Sequence, residues 1–390
     1  MGNNSFLILS ARYPKINGKG DQLVLFHRLK CLASHGALLH LVIFSRRPEA
    51  LQDELKAFNN IEVTWLHHGP VQVGISFLRS LFSAIPLELR LFQNRRLALY
   101  IKEFLVENSS YTPIFFTLRS WQIALIPPPQ SYIVDFVDSY ALNYSRRTSP
   151  RALGIFYKLQ AMLYLHIEKT LSLNAKAAFV VSHVDKDYIG VPKIDVVPNG
   201  VSNSLHSVDL TAKSHPNSLS FSLGFIGNLN YRPNKVSIRR FVMAALPIII
   251  SKADNIKLYI AGSGAKGLGL SPGKHLTMLG RVNCQFHFMA SMDIIVIPMY
   301  EGSGMQNKLL EAMLLGKPIV TTAIASEPLR LQHNIHAMIA YTDQELADYV
   351  LCLVENHELR RYLGINAKHL AINSFSWSSS YDKFASKVIF

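Results

Sequence analysis

The sequence predicts a two-domain α/β protein. At 390 residues the chain is long enough to form two hydrophobic cores. Short apolar runs, typical of buried strands, alternate with segments of helical periodicity. Loops containing glycine follow several of the predicted strands, at the end of the sheet where open α/β folds bind their ligands.

Composition places the chain among folded proteins. Hydrophobic residues make up 49% and charged residues 17%, which excludes an intrinsically disordered chain. The mean hydropathy is high, +0.16, yet no apolar run reaches the ~18 residues that span a bilayer. The first apolar run is too short for the core of a signal peptide. The three cysteines are scattered without a C-x-x-C pair, which indicates a reducing cytoplasm and argues against a structural zinc site.

The first predicted strand, residues 6–10, is followed by a loop that contains Gly18, Lys19 and Gly20. Apolar side chains at helical spacing over residues 23–32 then predict a helix, and residues 38–44 predict the second strand. Two interpretations of the loop stay open. It is either a ligand-binding loop at the end of the first strand or an ordinary turn between strand and helix.

Further strands of the first domain are predicted at residues 61–66, 113–118, 132–136, 177–181 and 194–200. Asp135 and Asp138 stand at the end of one of them, where functional side chains gather in an open sheet. Asp138 is a candidate functional carboxylate, or else the N-cap of the following helix. Asp135 is predicted to be a buried or capping group.

Residues 77–96 combine apolar and aromatic side chains with several arginines, and Glu88 is the only acid among them. Such a basic amphipathic segment can lie on a membrane surface. The alternative is a pair of core-facing helices, split at Pro86, with a solvated basic rim. A second basic cluster, a candidate for the same face, comprises Arg146, Arg147, Arg151 and Lys158.

Residues 185–187 read Asp-Lys-Asp, a pattern that can hold a divalent cation. Ser182 and Asp185, however, are spaced as the cap of a helix start. Carboxylates in the first turn of a helix are usually solvated and compensate the helix dipole. The sequence therefore predicts a capped helix start here and no metal site.

The second domain is predicted to begin after a polar linker at residues 202–218. Residues 219–226 predict its first strand, and Gly227 would let the backbone approach a ligand. Pro233 is placed to be the first residue of the next helix. Strand 256–261 leads to Gly262, and strand 276–279 leads to Arg281, which repeats the pattern of a strand followed by a glycine-containing loop.

The most informative stretch is residues 293–322. Residues 294–297 predict a buried strand, residues 306–315 a helix with one apolar face, and residues 319–322 the next strand. The loop between strand and helix reads Glu301-Gly302-Ser303-Gly304, and Gly316 is predicted to end the helix. This arrangement can bind phosphate, because a helix N-terminus offers unpaired N–H groups and a partial positive charge.

Two charged side chains of this helix extend the prediction. Lys308 lies in the first predicted turn, where it would add a full positive charge to the partial one. Glu311 follows about one turn later, where a carboxylate could bind the two vicinal hydroxyls of a ribose. The element therefore suits a nucleoside diphosphate.

The stretch resembles the signature of the family-four class of retaining glycosyltransferases. The pattern GxxNKxLEAMxxGKPxV, typical of one subgroup, runs here from Gly304 to Val320. Two further patterns of the family match, V-P-N-G-V at residues 197–201 and G-x-x-x-Y-x-P-N at residues 227–234. Many members carry two glutamates at a closer spacing than that of Glu301 and Glu311, so the role of Glu311 carries over more directly. Arg232 and Lys235 are not in the register of the family's usual phosphate-binding pair.

The resemblance implies a GT-B fold, in which two Rossmann-like, doubly wound domains face a central cleft. Residues 1–200 would be the acceptor-binding domain and residues 201–374 the nucleotide-sugar-binding domain. Residues 375–390 would form a helix that packs back on the first domain. The implied reaction transfers a sugar from a nucleoside diphosphate to an acceptor hydroxyl, with retention of configuration. Because Lys308 and the N–H groups of the helix start would stabilise the leaving diphosphate, we expect no metal and no cofactor.

The resemblance also assigns roles to individual residues. Lys308, Glu301 and Asp138 are the catalytic candidates, Asp138 on the acceptor side. The loop of Gly18, Lys19 and Gly20 would lie beside the donor phosphates and the acceptor. The donor-binding candidates are Gly227, Asn228, Gly262, Arg281, Gly302, Ser303, Gly304, Met305, Gln306, Asn307 and Glu311.

The strongly basic balance completes the list of predicted partners. The formal net charge is +14, which suits nucleic acid, an anionic membrane or phosphorylated substrates. No zinc-finger spacing and no RNA-binding aromatic signature is present, so we expect no nucleic-acid partner. A nucleotide sugar, a glycan or lipid-linked acceptor and an anionic membrane surface are the expected partners. The expected location is the cytoplasm, with the inner face of the cell membrane as a candidate site of attachment.

Two other functions stay open on the sequence alone. A sugar-nucleotide epimerase of the same fold would need no acceptor. A degenerate GT-B subunit would bind the donor without turnover and would activate or scaffold an assembly complex. A dinucleotide-binding dehydrogenase is disfavoured, because no predicted strand is followed by GxGxxG with a distal acid.

Overall fold

The computed structural model describes residues 4–16, 18–79, 85–122, 129–201 and 221–389. The chain forms two compact units, each with its own parallel sheet. Unit 1 comprises Met1–Pro198 together with Ser380–Phe390, and unit 2 comprises Asn199–Ser379. The change of unit falls in the V-P-N-G-V pattern, next to the domain boundary predicted at residues 200 and 201. The predicted linker at residues 202–218 lies outside the described residues.

Unit 1 alternates strands and helices along the chain. Its elements are β1 (Ser5–Ser10), α1 (Gly20–Ser34), β2 (Leu38–Ser45), α2 (Asp53–Lys56), β3 (Ile61–His67), α3 (Pro70–Arg79), α4 (Leu87–Phe92), α5 (Arg95–Glu107), β4 (Tyr111–Phe116), β5 (Ile133–Val137), α6 (Tyr140–Ser145), α7 (Arg151–Asn174), β6 (Ala177–Val180), α8 (His183–Ile189) and β7 (Ile194–Val196). The strands form a parallel sheet in the order β3-β2-β1-β4-β5-β6-β7.

Unit 2 repeats this architecture. Its elements are β8 (Phe221–Ile226), α9 (Arg232–Arg240), α10 (Leu246–Lys252), β9 (Ile256–Ala261), β10 (Leu276–Gly280), α11 (Gln285–Ala290), β11 (Ile294–Ile297), α12 (Asn307–Leu314), β12 (Ile319–Thr322), α13 (Ala323–Ser326), β13 (Met338–Ala340), α14 (Asp343–Glu355), α15 (His357–Ser374) and the first residues of α16 (Trp377–Val388). The strands form a parallel sheet in the order β10-β9-β8-β11-β12-β13.

The central strands read as continuous apolar runs because helices cover both faces of each sheet. Every residue of β1 and of β11 is buried. In both sheets the chain order reverses once, between β1 and β4 in unit 1 and between β8 and β11 in unit 2. These are the topological switch points, where the ends of parallel strands leave a crevice for a ligand.

Among the described residues the predicted strands are present, and their ends lie within a few positions of the predicted ones. Residues 219 and 220, the start of the predicted strand 219–226, lie outside the described ranges. The helix predicted at residues 306–315 is α12, and Gly316 ends it with a φ of 66°. Pro233 occupies the second rather than the first position of α9, because Tyr231 is the N-cap. Residues 77–96 contain parts of α3, α4 and α5, and residues 80–84 of this segment lie outside the described ranges. None of the described helices is long and apolar enough to cross a membrane.

One buried ion pair joins separate elements of unit 1. Arg28 on α1 donates from Nε to Asp135 Oδ2 at 2.9 Å, and both side chains are buried. The same guanidinium also donates to the carbonyl of Val197 and to Ser380 Oγ, and it lies 4.4 Å from the ring centroid of Phe384. The prediction that Asp135 is a buried group is confirmed. The C-terminal part of α16 packs against α1 through this cluster.

A close backbone contact fixes α12 against α15. A Cβ on Gly364, in α15, would lie 2.1 Å from the carbonyl oxygen of Gly316 at the end of α12. The two helices can approach this closely only because residue 364 has no side chain. The contact matters for function because α12 carries the predicted phosphate-binding turn.

We expect Gly364→Ala to lower the free energy of unfolding by about 2 kcal/mol, because the new methyl group would displace the backbone of Gly316. Alanine would otherwise stabilise a helix interior by about 1 kcal/mol relative to glycine, so the sign of the change is informative. Urea denaturation measures it. The control is Gly273→Ala, where a Cβ would meet no atom within 4 Å. A Gly364→Ala protein as stable as the control would contradict the close contact.

Candidate functional site

The switch point of unit 2 gathers most of the predicted donor-binding residues. Gly227 and Asn228 follow β8, and Gly262 follows the neighbouring β9. Gly262 has a φ of 133°, and a Cβ there would lie 1.8 Å from the carbonyl oxygen of Gly227. The two strand ends therefore meet backbone to backbone, which is possible only because residue 262 has no side chain. Asn228 accepts hydrogen bonds from Asn230 N and Ser263 Oγ and so shapes this turn.

The loop from β11 to α12 runs beside these strand ends. Gly302 and Gly304 have φ angles of 117° and 67°, which favour glycine. Ser303 and Met305 are buried in this loop. The N-cap of α12 is Gln306, and its side chain makes no capping hydrogen bond. The first turn of α12 holds no acidic residue, so no carboxylate of that turn compensates the positive end of the helix dipole.

Lys308 extends from the first turn of α12 to the end of β8. Its side chain is only 9% exposed. Nζ donates a hydrogen bond to Asn234 Oδ1 in α9 and lies 4.8 Å from the ring centroid of Phe225 in β8. A Cβ on Gly227 would lie 3.4 Å from this ammonium nitrogen. The cation is therefore held at the strand end where the switch point opens.

The ammonium group has no direct counter-ion in the described part of the chain, where no carboxylate lies within ion-pair distance of Lys308 Nζ. Burial lowers the pKa of Lys308 to about 7, and the charge of Glu311 opposes this shift only in part. A positive side chain at a helix N-terminus also works against the helix dipole. Folding alone does not explain this placement, whereas a bound anion would stabilise the charged form.

Glu311 lies one turn after Lys308 and is half-buried. Its Oε1 accepts a hydrogen bond of 2.9 Å from Gln285 Nε2, at the start of α11. Burial raises the pKa of Glu311 to about 8, while the bond from Gln285 and the charge of Lys308 act in the opposite direction. Gln285 follows the loop that contains Arg281, whose side chain is exposed. The hydrogen bond from Gln285 thus links Glu311 to the segment that follows Arg281.

Glu301 is fully buried and paired. Its two oxygens accept hydrogen bonds from Nε and Nη2 of Arg232, both at 3.0 Å. This bidentate pair ties the loop before α12 to the first turn of α9. The predicted binding of sugar hydroxyls by Glu301 stays a prediction. In the described structure the carboxylate binds Arg232, which the sequence did not relate to it.

Asn307 connects α12 to the start of unit 2. Its Oδ1 accepts a hydrogen bond of 2.7 Å from Asn199 Nδ2, and the sulfur of Met305 accepts one from Asn199 N. Asn199 belongs to the V-P-N-G-V pattern, and its own Oδ1 is buried without a hydrogen-bond partner. The pattern therefore has a structural role next to the first turn of α12.

In unit 1, two strained residues mark the ends of neighbouring strands. Thr117 after β4 and Val137 at the end of β5 have φ angles of 60° and 66°, which non-glycine residues rarely adopt. Such strain concentrates at functional sites. Asp138 directly follows Val137 and is half-buried. The alternative that Asp138 is an N-cap is wrong, because Ser139 caps α6 by accepting a hydrogen bond from Leu142 N.

Two buried carboxylates fix the turn that carries Asp138. Glu168 of α7 accepts hydrogen bonds from Ser139 Oγ and from the backbone N–H groups of Tyr140 and Ala141. Asp185 of α8 accepts one from Ser139 N at 2.9 Å. Burial raises the pKa of Glu168 to about 8, against the effect of these hydrogen bonds. The turn is thus held from two sides, and Asp138 has a defined position.

Asp185 also decides how the Asp-Lys-Asp pattern is interpreted. The predicted cap is confirmed, because Ser182 Oγ accepts a hydrogen bond from Asp185 N at the start of α8. The expectation that these carboxylates are solvated is wrong for Asp185, which is fully buried. Asp187 is exposed. One carboxylate is therefore committed to the turn of Ser139, and the other points to solvent.

The loop of Gly18, Lys19 and Gly20 follows β1 at the switch point of unit 1, and all three residues are exposed. Lys19 is the N-cap of α1. The positive charge of Arg12, followed by burial, lowers the pKa of Lys19. A small hollow beside the loop is lined by Ser10, Ala11, Arg12, Asp21, Leu25, Phe116, Thr117 and Arg119. The structure thus places a positively charged loop at the predicted end of β1.

Sequence reasoning missed four residues of these sites: Asn234, Gln285, Arg232 as the partner of Glu301, and Glu168. Asn234 stands in the G-x-x-x-Y-x-P-N pattern, which signalled its importance but not its bond to Lys308. The other three had no local signal, because each acts on a residue that is distant in sequence.

Comparison with known proteins agrees with this geometry. Residues 220–356, which lie within unit 2, match the family model described as "Glycosyl transferases group 1". A phosphatidyl-myo-inositol mannosyltransferase from Mycobacterium leprae is 29% identical over 192 residues, which are 47% of this chain and 50% of that protein. The chain spans between 24% and 50% of the length of the curated relatives it matches.

Solved structures resemble the chain over nearly its full length. Sucrose-phosphate synthase from Thermosynechococcus elongatus has a TM-score of 0.70 at 15% identity, with 99% of this chain and 98% of that chain covered. HepE from Anabaena, in complex with UDP and glucose, has a TM-score of 0.63 at 14% identity, with 99% of each chain covered. At this identity the likeness shows the fold. The two Rossmann-like sheets are those of a GT-B fold, as the sequence predicted.

The buried ammonium group should make stability depend on pH. The pKa of Lys308 is about 7 in the folded chain, against an ordinary value of 10.5. Between these values the unfolded chain binds more protons, so stability rises with pH. Below about pH 8 the raised pKa of Glu311 has the opposite effect on stability, because there the folded chain binds more protons than the unfolded chain. From about pH 8 to pH 10 we expect the wild type to gain about 2 kcal/mol relative to Lys308→Met.

Urea denaturation at both pH values measures this difference. Lys274→Met is the matched control, because the Lys274 side chain is exposed and its removal should not alter the pH dependence. A Lys308→Met protein whose stability follows that of the wild type at every pH would contradict a buried, titrating Lys308.

Proposed function

We propose that this chain, in which residues 220–356 match the group 1 glycosyl transferases, moves a sugar from a nucleoside diphosphate to an acceptor hydroxyl. The observation that carries the proposal is the buried ammonium of Lys308. It lies at the switch point of unit 2, beside an uncapped helix start, and no described carboxylate pairs with it. A diphosphate would supply the missing negative charge. The HepE complex with UDP and glucose supports a nucleoside diphosphate on this fold.

In the proposed reaction, the bond between the anomeric carbon and the diphosphate breaks, and a bond to the acceptor oxygen forms. The leaving diphosphate gains negative charge, which Lys308 and the backbone N–H groups of Gly304, Met305 and Gln306 would stabilise. The departing phosphate oxygen would take the proton of the acceptor hydroxyl. Attack and departure on the same face would retain the configuration of the sugar.

The remaining residues of unit 2 would bind the rest of the donor. Glu311, oriented by Gln285, would accept hydrogen bonds from two ribose hydroxyls. The exposed guanidinium of Arg281 would contact the base. The loop at residues 301–304 would bind the sugar, with the Glu301–Arg232 pair keeping that loop in place.

Electrostatic stabilisation by a lysine and a helix start performs the task that a divalent cation performs in other transferases. We therefore propose that the reaction needs neither a metal ion nor a cofactor beyond the nucleotide sugar. This proposal is supported by the positive charge of Lys308 and of the helix start, both of which belong to α12.

Unit 1 would bind the acceptor. Asp138, in the turn fixed by Glu168 and Asp185, would orient the acceptor hydroxyl, and the loop of Gly18, Lys19 and Gly20 would attract phosphate oxygens. We propose a glycan or lipid-linked acceptor of cell-surface glycan assembly, used at the cytoplasmic face of a membrane. The net charge of +14 and the lipid-modifying activity in the name of the M. leprae relative support this.

Lys308→Ala tests the mechanism most simply. Turnover should fall by about 100-fold or more, because one charged stabiliser of the leaving group is lost. Thermal stability should stay close to that of the wild type, since a buried charge is removed together with its desolvation cost. A thermal-shift panel of nucleoside diphosphates and sugar nucleotides identifies the donor, and the release of the diphosphate then measures turnover.

Four results would count against parts of the proposal. Undiminished turnover in Lys308→Ala would remove this residue from the mechanism. Loss of activity in EDTA, restored by a divalent cation, would contradict metal independence. Conversion of the donor without an acceptor would indicate an epimerase, and donor binding without turnover on any acceptor would indicate a scaffold subunit. Lys274→Ala, which changes an exposed lysine, is the control.

A further inference from the structure

Helix α7 has an apolar face that is turned to solvent. Ile155, Leu159, Met162 and Leu173 are 72%, 52%, 68% and 63% exposed. The first three are spaced four and three residues apart, and Leu173 follows about three helical turns after Met162. All four therefore lie along one side of the helix. The helix runs over 24 residues, from Arg151 to Asn174, which corresponds to a length of about 36 Å.

Cations accompany the apolar side chains on this face. Arg151, Lys158 and Lys169 are exposed on the same side of α7, together with His166. The only acidic residue in the sequence of α7 is Glu168, and it is fully buried against the turn of Ser139. The exposed face of α7 therefore combines large apolar groups with positive charge and carries no acid.

The fold does not account for this face. The opposite side of α7 already packs on the core of unit 1, through residues that include Ala161, Tyr164 and Ile167. Arg151 stands in the first turn of the helix, where a cation opposes the helix dipole, and no acid in that turn compensates it. Exposed apolar side chains clustered on one face are typical of an interaction surface.

We propose that the exposed face of α7 docks on an anionic lipid bilayer, with the helix lying in the plane of the membrane surface. An amphipathic helix with cations beside its apolar side chains binds in this way, through burial of the apolar groups and attraction to anionic headgroups. A second copy of the chain fits poorly, because it would bring identical rows of cations together. Docking of α7 would bring the protein to a lipid-linked acceptor, and this purpose rests on the proposed function.

Vesicle flotation with the full-length protein tests the proposal. The wild type should bind vesicles that contain phosphatidylglycerol, bind vesicles of phosphatidylcholine weakly, and lose binding as salt is added. Replacing Arg151, Lys158 and Lys169 together by glutamine should weaken binding about 100-fold, since each cation contributes about fivefold. Ile155→Ser combined with Met162→Ser should weaken it about tenfold or more, with little effect on folding, because both side chains are exposed.

The matched control removes the same charge elsewhere, by replacing Lys30, Lys56 and Lys274 with glutamine. These lysines form ion pairs and lie outside the residues of α7. The control protein should bind vesicles within about twofold of the wild type if α7 is the docking face. An equal loss in the control would show that only net charge matters and would overturn the proposal.

Other results would overturn it as well. These are absence of binding to anionic vesicles, binding that the α7 variants do not change, or a mass in light scattering that shows a dimer broken by the α7 variants. Vesicle binding is measured without a nucleotide sugar, and turnover can be measured on a short soluble acceptor without vesicles. Failure of the docking surface is therefore distinguishable from failure of the transferase function.

Discussion

The candidate donor site depends on one buried charge. Lys308 is brought to the end of β8 by the first turn of α12, and that turn is positioned by the loop from β11 and by the contact of Gly316 with Gly364. The ammonium group donates one hydrogen bond to a neutral acceptor, Asn234 Oδ1, and lies over the aromatic ring of Phe225. A charge in this environment is costly unless an anion joins it. A bound anion would remove this cost, which is consistent with a ligand-binding site at this end of unit 2.

Much of this fold could be predicted because the signals are local. A run of four apolar residues predicted β11, and the 3.6-residue period of the following segment predicted α12. The capping pair Ser182 and Asp185 predicted the start of α8, since the bond involves residues three positions apart. The same holds for the end of α12 at Gly316. Strand order has no local signal, and the two-sheet GT-B prediction came from the resemblance of the motifs.

The details that the sequence did not reveal involve distant residues. The bond of Lys308 to Asn234 and the pair of Glu301 with Arg232 each join β11–α12 to the β8–α9 region. Asp185 is buried where it accepts a hydrogen bond from Ser139 N, and no sequence pattern near residue 185 indicates this bond. Asp138 was a plausible cap by position alone, but α6 begins at Tyr140, so the residue that caps it is Ser139. In the other cases contacts between distant residues determined the structure, and local sequence patterns did not predict it.

The most direct measurement of the central claim is proton uptake on donor binding. In the protein without a bound donor, the side chain of Lys308 should be largely neutral at about pH 8.5, because burial lowers its pKa to about 7. A bound diphosphate would raise that pKa, so calorimetric titration in buffers of different ionisation enthalpy should show uptake of about one proton per nucleoside diphosphate. Lys308→Met should bind more weakly and without that uptake. Tight binding with no proton uptake in the wild type, or equal uptake in Lys308→Met, would contradict the account.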